Sequence, residues 1–103
     1  MFVVRDETGV ELVAGLAATL WGRVMEVEFL WVCEDRQGCG TGTRLMEAAE
    51  GVARERGCER MATQTYSFQA PGFYAKQGYR EVGRVPNWTS FGHDKVIFVK
   101  DLA

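Results

Sequence analysis

Three glycines at alternate positions, in Gln37-Gly38-Cys39-Gly40-Thr41-Gly42, separate an alternating apolar strand from an amphipathic helix. Glycine lets the chain reverse there and lets bare backbone amides crowd together. A helix start leaves its first N–H groups unpaired at the positive end of the helix dipole, which makes a seat for an anion. A cofactor phosphate is the natural occupant; a tight turn without any ligand is the alternative.

The surrounding pattern predicts a mixed α/β chain. Phe2 to Arg5 and Val10 to Leu20 read as a hairpin about the turn signal Asp6-Glu7-Thr8-Gly9. Val24 to Val32 is the clearest strand. Strict alternation places Met25, Val27, Phe29 and Trp31 on a face that should pack against a helix. It places Glu26 and Glu28 together on the other, as the wall of a cleft. A helix over Thr41 to Arg56 carries Leu45, Ala48, Ala49, Val52 and Ala53 as its apolar stripe, with Met46 on the flank, and stops at Gly57. Arg60 to Tyr66 is the next strand. Strand, helix, strand in that order implies a parallel pair with a crossover. A short helix over Gln69 to Gln77, a strand over Tyr79 to Val85, a loop, and a strand over Lys95 to Lys100 complete the order.

Composition narrows the function. One domain over 1–103 is expected from a chain of 103 residues, and an apolar share of 47% argues against disorder. Twelve basic residues face fourteen acidic ones, a balance that disfavours nucleic acid. Arg54, Arg56 and Arg60 read as a solvated helix end. No apolar run reaches membrane-spanning length, and the start is not that of a signal peptide. Cys33, Cys39 and Cys58 form no paired motif and suit a reducing, cytoplasmic setting. A metal site is not expected, since His93 is the only histidine.

Two nucleotide motifs fail at the glycine turn. The P-loop requires Gly-Lys-Ser/Thr after four residues, and no lysine stands near Gly42. The dinucleotide fingerprint requires G-x-G-x-x-G with a later acid, and Thr63, Gln64 and Thr65 stand where that acid belongs.

A third motif does match. The stretch Val32 to Leu45 resembles the acyl-CoA-binding motif of the GNAT N-acetyltransferases, Q/R-x-x-G-x-G/A, through Gln37, Gly40 and Gly42. Phe68 to Tyr79 resembles the later helix of that family, A-x-x-F-Y-x-K-x-G-F/Y, through Ala70, Phe73, Tyr74, Lys76, Gly78 and Tyr79. The likeness runs from about Phe2 to the C-terminus. It implies a single GNAT-like acyl-CoA-binding domain with a mixed, mostly antiparallel sheet, a central parallel strand pair and about two helices. Only 23 residues precede the central strand, fewer than in most members. The acceptor side is therefore expected to be open, or completed by a homodimer through the N-terminal side.

The resemblance also implies chemistry: acetyl transfer from acetyl-CoA to a primary amine of a small molecule or peptide, within a ternary complex. The pyrophosphate would rest on the turn formed by Gln37, Gly38, Cys39, Gly40, Thr41, Gly42, Thr43 and Arg44. The pantetheine arm would lie along Leu30, Trp31 and Val32. Tyr74 matches the tyrosine that many members aim at the departing sulfur, as proton or hydrogen-bond donor. Glu28 and Glu26 would take the amine's proton, or only attract a cationic acceptor. His93, with Trp88 in the same loop, is a candidate for acceptor contact, for a base, or for an ordinary loop role. A non-catalytic acyl-CoA-binding or dimerisation module is the alternative to an enzyme.

Overall fold

The computed structural model describes residues 2–5, 12–67 and 71–102. The elements are β1 (Phe2–Arg5), β2 (Leu12–Trp21), β3 (Val24–Val32), α1 (Thr41–Glu55), β4 (Arg60–Tyr66), α2 (Pro71–Lys76), β5 (Arg80–Val85) and β6 (Lys95–Asp101), with a 3-10 turn at Glu34–Arg36. The turn expected at Asp6 to Gly9, the start of the second strand at Val10, and Gln69 of the second helix lie outside the described residues. The expected order and fold class are found. Among the described residues, six strands form one sheet in the order β1-β2-β3-β4-β6-β5, in which β3 and β4 are the parallel pair.

The parallel pair is short. Val24, Met25, Glu26 and Val27 pair with Arg60, Met61, Ala62 and Thr63, and the register ends there. The cause is visible on the other edge of β3. Ala18 pairs with Val27 but Ala17 pairs with Phe29, so Glu28 is an extra residue in β3. Such a bulge bends its strand and breaks the alternation of faces. Past it, β3 leaves β4 and the sheet opens.

The bulge also corrects the strand reading. Met25 and Val27 are buried as expected, but Phe29 is 68% exposed and Trp31 42%. Leu30 and Val32 turn to the core in their place. Trp31 lies instead over Gly15, its partner on β2, where an added β-carbon would come within 2.7 Å of the indole nitrogen. Glycine in mid-strand is thus a seat for the ring, not only a weak point.

Helix α1 packs on β2 and β3 through Leu45, Met46, Ala49 and Ala53. Its buried stripe is rotated from the expected one. Ala48 is exposed, Met46 is fully buried, and the charged Glu50 is buried beside it. Glu50 can sit there because it is partnered. Its Oε2 accepts the Tyr79 hydroxyl at 2.9 Å, and its Oε1 accepts Lys100 Nζ at 2.9 Å. Burial, then the carboxylate of Glu50, push the Tyr79 phenol far above its ordinary value. This network ties α1 to β6 and to the segment after α2.

Glu50→Ala should therefore cost about 2 kcal/mol in urea unfolding at neutral pH. That is less than a fully enclosed pair would lose, because the Lys100 side chain is still 26% exposed. Folded Tyr79 keeps its proton where an unfolded tyrosine, with a value near 10, gives it up. The stability that Tyr79 adds is thus complete below pH 10 and is lost as pH rises past it, which an unfolding series across that range would read.

Candidate active site

The opening between β3 and β4 continues into a cavity of about 1050 Å³, bounded by the glycine turn, the start of α1, and the helix α2. Its geometry follows from three local features.

The first is the turn. Gly38 and Gly40 both hold positive φ, +83° and +79°, a conformation that other residues rarely adopt. A β-carbon at either would meet no protein atom within 4 Å, so the space beyond the turn is open. Gly40 caps α1 without a side-chain bond, and the first helical hydrogen bond runs from Arg44 N to Gly40 O at 3.0 Å. The N–H groups of Thr41, Gly42 and Thr43 precede it and have no carbonyl one turn back. Gln37 anchors the turn to the strand by donating from Nε2 to the Val32 carbonyl at 3.2 Å. Amides without an intrahelical partner fit an anion such as a pyrophosphate.

The second is the bulged strand. Glu26, Glu28, Leu30, Trp31 and Val32 all line the cavity. The two glutamates share a face as the sequence predicts. Glu26 Oε1 accepts the Trp21 indole N–H at 3.1 Å, and Glu28 Oε1 accepts the Thr19 hydroxyl. Both donors come from β2 and fix the carboxylates in place.

The third is α2. Tyr74 is 6% exposed and also lines the cavity. It packs edge-on against Phe73 at 5.2 Å between centroids and lies 5.9 Å from Tyr79 and from Phe98. Burial raises its phenol above the ordinary value, and a hydrogen bond with Thr63 brings it partly back. Tyr74 is thus protonated at neutral pH. The end of this helix is bound to α1 by Gln77 Nε2, which donates to Thr43 Oγ1 at 2.9 Å.

Of the residues expected from sequence, Gln37, Gly38, Gly40, Thr41, Gly42, Thr43 and Tyr74 join the strand residues around the cavity. Cys39 and Arg44 are exposed and are not among its lining residues. Neither are Trp88 and His93, which sit in the β5–β6 loop. His93 Nδ1 lies 3.1 Å from the Thr89 hydroxyl within that loop. Trp88 approaches the site indirectly, since its ring stacks 4.1 Å from the ammonium of Lys95, which does line the cavity.

Arg36, Thr63, Phe73 and Lys95 were not singled out by sequence reasoning, although all four line the cavity. Phe73 carried a signal, as it precedes Tyr74 in the helix motif. A β-carbon on Gly42 would lie 3.3 Å from its ring, so the third glycine makes room for Phe73. Among the described residues, no three His, Cys, Asp or Glu side chains are placed to hold a metal, and no helix is long and apolar enough to cross a membrane.

Among the described residues the mixed sheet splits at its one parallel pair, with a glycine-turn helix at the mouth of the split, the architecture that the resemblance to acyl-CoA-dependent N-acyltransferases implies. Residues 1–79 match the acetyltransferase (GNAT) family, and the chain belongs to it. Blasticidin-S acetyltransferase of Streptomyces morookaense is 39% identical over 93 residues, 89% of this chain and 68% of that protein. The crystal structure of an acetyltransferase from Bacillus cereus ATCC 14579 superposes with a TM-score of 0.90 at 38% identity, over 97% of this chain and 70% of the other. An aminoglycoside 6'-N-acetyltransferase complexed with coenzyme A shares the fold, with a TM-score of 0.85 at 22% identity over 98% and 71% of the two chains. The chain is thus an acetyl-CoA-dependent acetyltransferase with an amine acceptor, which favours the enzyme over the binding-module alternative.

Gly40→Val should weaken acetyl-CoA binding by at least about ten-fold in calorimetry, roughly 1.4 kcal/mol. Gly57→Val is the matched control. Gly57 holds φ +78° with nothing within 4 Å, yet it lies at the far end of α1, so it should cost equal strain and leave affinity unchanged.

Proposed function

We propose that this chain acetylates the primary amine of a cationic small molecule by direct attack while acetyl-CoA is bound. The observation that carries this reading is a single cavity shared by unpaired amides at the glycine turn, a protonated Tyr74, and the fixed carboxylates of Glu26 and Glu28. The same reading treats residues 1–103 as one acyl-CoA-binding domain. It leaves β1, at the sheet edge, as the strand available to a second copy.

Bound acetyl-CoA supplies an acetyl group activated as a thioester. Amides of the glycine turn hold its phosphates, and β3 beyond Val27, with no partner on its β4 side, hydrogen-bonds its arm as an added strand would. Glu26 and Glu28 would attract the acceptor as a cation; its ammonium would first lose one proton to solvent, which frees the lone pair for attack, and a carboxylate would take the second proton as the amide bond forms. Tyr74 gives its phenolic proton to the sulfur as the carbon–sulfur bond breaks. A buried, neutral phenol is suited to that step, because it arrives protonated. Trp21 and Thr19 position the glutamates through their side-chain bonds and touch neither reactant.

The relative named for blasticidin S supports a small-molecule acceptor, and the two carboxylates in the cavity lining support a cationic one. Labelled acetyl-CoA offered with a panel of amines that includes blasticidin S tests this. Label should pass to cationic small molecules and not to neutral ones; equal transfer to both would remove the carboxylates from acceptor choice. With the best acceptor, Tyr74→Phe should lower kcat by about a hundred-fold, the low end of general acid catalysis. Acetyl-CoA affinity should hardly change. Undiminished turnover would exclude Tyr74 as the proton donor.

A further inference from the structure

Lys95 lines the cavity but has no part in the acyl transfer itself. Its ammonium lies 4.1 Å from the centre of the Trp88 ring, and among the described residues no carboxylate forms an ion pair with it. The acid beside it in sequence is committed elsewhere. Asp94 Oδ2 accepts Arg84 Nη1 at 3.1 Å, and its Oδ1 accepts the Asn87 N–H at 3.3 Å. The acids of the cavity lining, Glu26 and Glu28, are bonded to Trp21 and Thr19. The charge of Lys95 is therefore left unanswered by the protein.

The register sets this charge on the same face of the sheet as Glu26. On β6, Val96 and Phe98 are buried in the core that α1 covers, so Lys95 belongs to the opposite face. On β4, Thr63 and Thr65 are buried, and Gln64 and Tyr66 take that opposite face. On β3, Met25 and Val27 are buried, and Glu26 stands opposite them. Tyr66 pairs with Lys95, and Ala62 pairs with Glu26. The glycine turn leads into α1, on the covered face. The cavity thus passes through the opening in the sheet, with the turn amides toward one face and Glu26 and Lys95 toward the other. Arg36, the other basic residue of the lining, directly precedes Gln37 and belongs with the turn.

We propose that the acceptor carries a carboxylate as well as its amine, and that Lys95 binds this carboxylate while Glu26 and Glu28 hold the ammonium. The proposal rests on the reading of the two glutamates as the acceptor's seat, and it narrows the substrate class to molecules that bear both charges. A lysine ammonium is a point charge with three donors; the Trp88 ring covers one side of it and leaves the others for a ligand. An acceptor with a second cation in place of the carboxylate would be repelled there. Because β4 lies between β3 and β6, two strand spacings, about 10 Å, separate their backbones. The opening beyond Val27 adds to that distance. The amine and the carboxylate of a fitting acceptor are therefore several bonds apart rather than on one carbon.

The test pairs γ-aminobutyrate and ε-aminocaproate with their methyl amides, which keep the amine and the chain and lose the negative charge. With labelled acetyl-CoA, at least one carboxylate form should exceed its amide by about ten-fold or more in kcat/KM, the scale of a hydrogen bond to a charged group. Lys95→Met keeps an unbranched apolar stem beside Trp88 and removes the charge. It should bring that ratio close to one, and Lys95→Arg should restore part of it. Equal transfer to both forms by the wild type, or a ratio unmoved in Lys95→Met, overturns the proposal. So does a matching loss of acetyl-CoA affinity in Lys95→Met, which would assign the residue to the cofactor. Calorimetry of the coenzyme A complex with the same pairs needs no turnover, so it decides the inference even where the acetylation reading fails. Tighter binding of a carboxylate form than of its amide, lost in Lys95→Met, supports the proposal; equal binding of the two forms, or none of either, overturns it.

Discussion

The bulge at Glu28 is the constraint on which the molecule depends. One extra residue in β3 ends its pairing with β4 after Val27 and Thr63 and turns Leu30 and Val32 to the core. A regular parallel pair would have closed the sheet and left no cavity. Because the strands part there, the glycine turn that follows β3 opens onto a cleft rather than onto bulk solvent. The unpaired amides of the helix start, the free edge of β3, and Tyr74 from α2 all meet in that one place.

Around the opening, the chain is braced by polar contacts of different kinds. On the closed side, Glu50 holds Tyr79 and Lys100 and keeps α1 and β6 together. At the mouth, Gln77 holds Thr43 and Gln37 holds the end of β3. Inside, Trp21 and Thr19 hold the two glutamates. Each bond fixes a side chain on one element by a group from another, and such cross-bracing keeps a site at working geometry in a small domain. The exposed salt bridges, such as those of Arg84 with Glu81 and Asp94, add little to that frame.

Much of this was legible in the sequence. Alternation located β3, helical spacing located α1, and the glycines located the turn between them. What escaped was set by register. No pattern in Val24 to Val32 marks Glu28 as an insertion, because the residues alternate cleanly through it, and so Phe29 and Trp31 were assigned to the wrong face. Ala48, expected in the apolar stripe, is exposed while Glu50 is buried, because a carboxylate is tolerated there only through partners 29 and 50 positions away. Thr63 is an ordinary strand residue by type, and only its place opposite Val27, where the strands part, sets it in the cavity lining. Trp88 and His93 were chosen as unusual residues in a loop, and the structure sets them beside each other but outside the cavity lining.

An amide-resolved NMR titration of the protein with coenzyme A bears most directly on the opened sheet as the cofactor's seat. The account predicts that the largest shifts fall on the N–H groups from Gly38 to Thr43 and on β3 beyond Val27, with the β5–β6 loop nearly still. Saturating changes confined to other surfaces, or none at all in the folded protein, would contradict it.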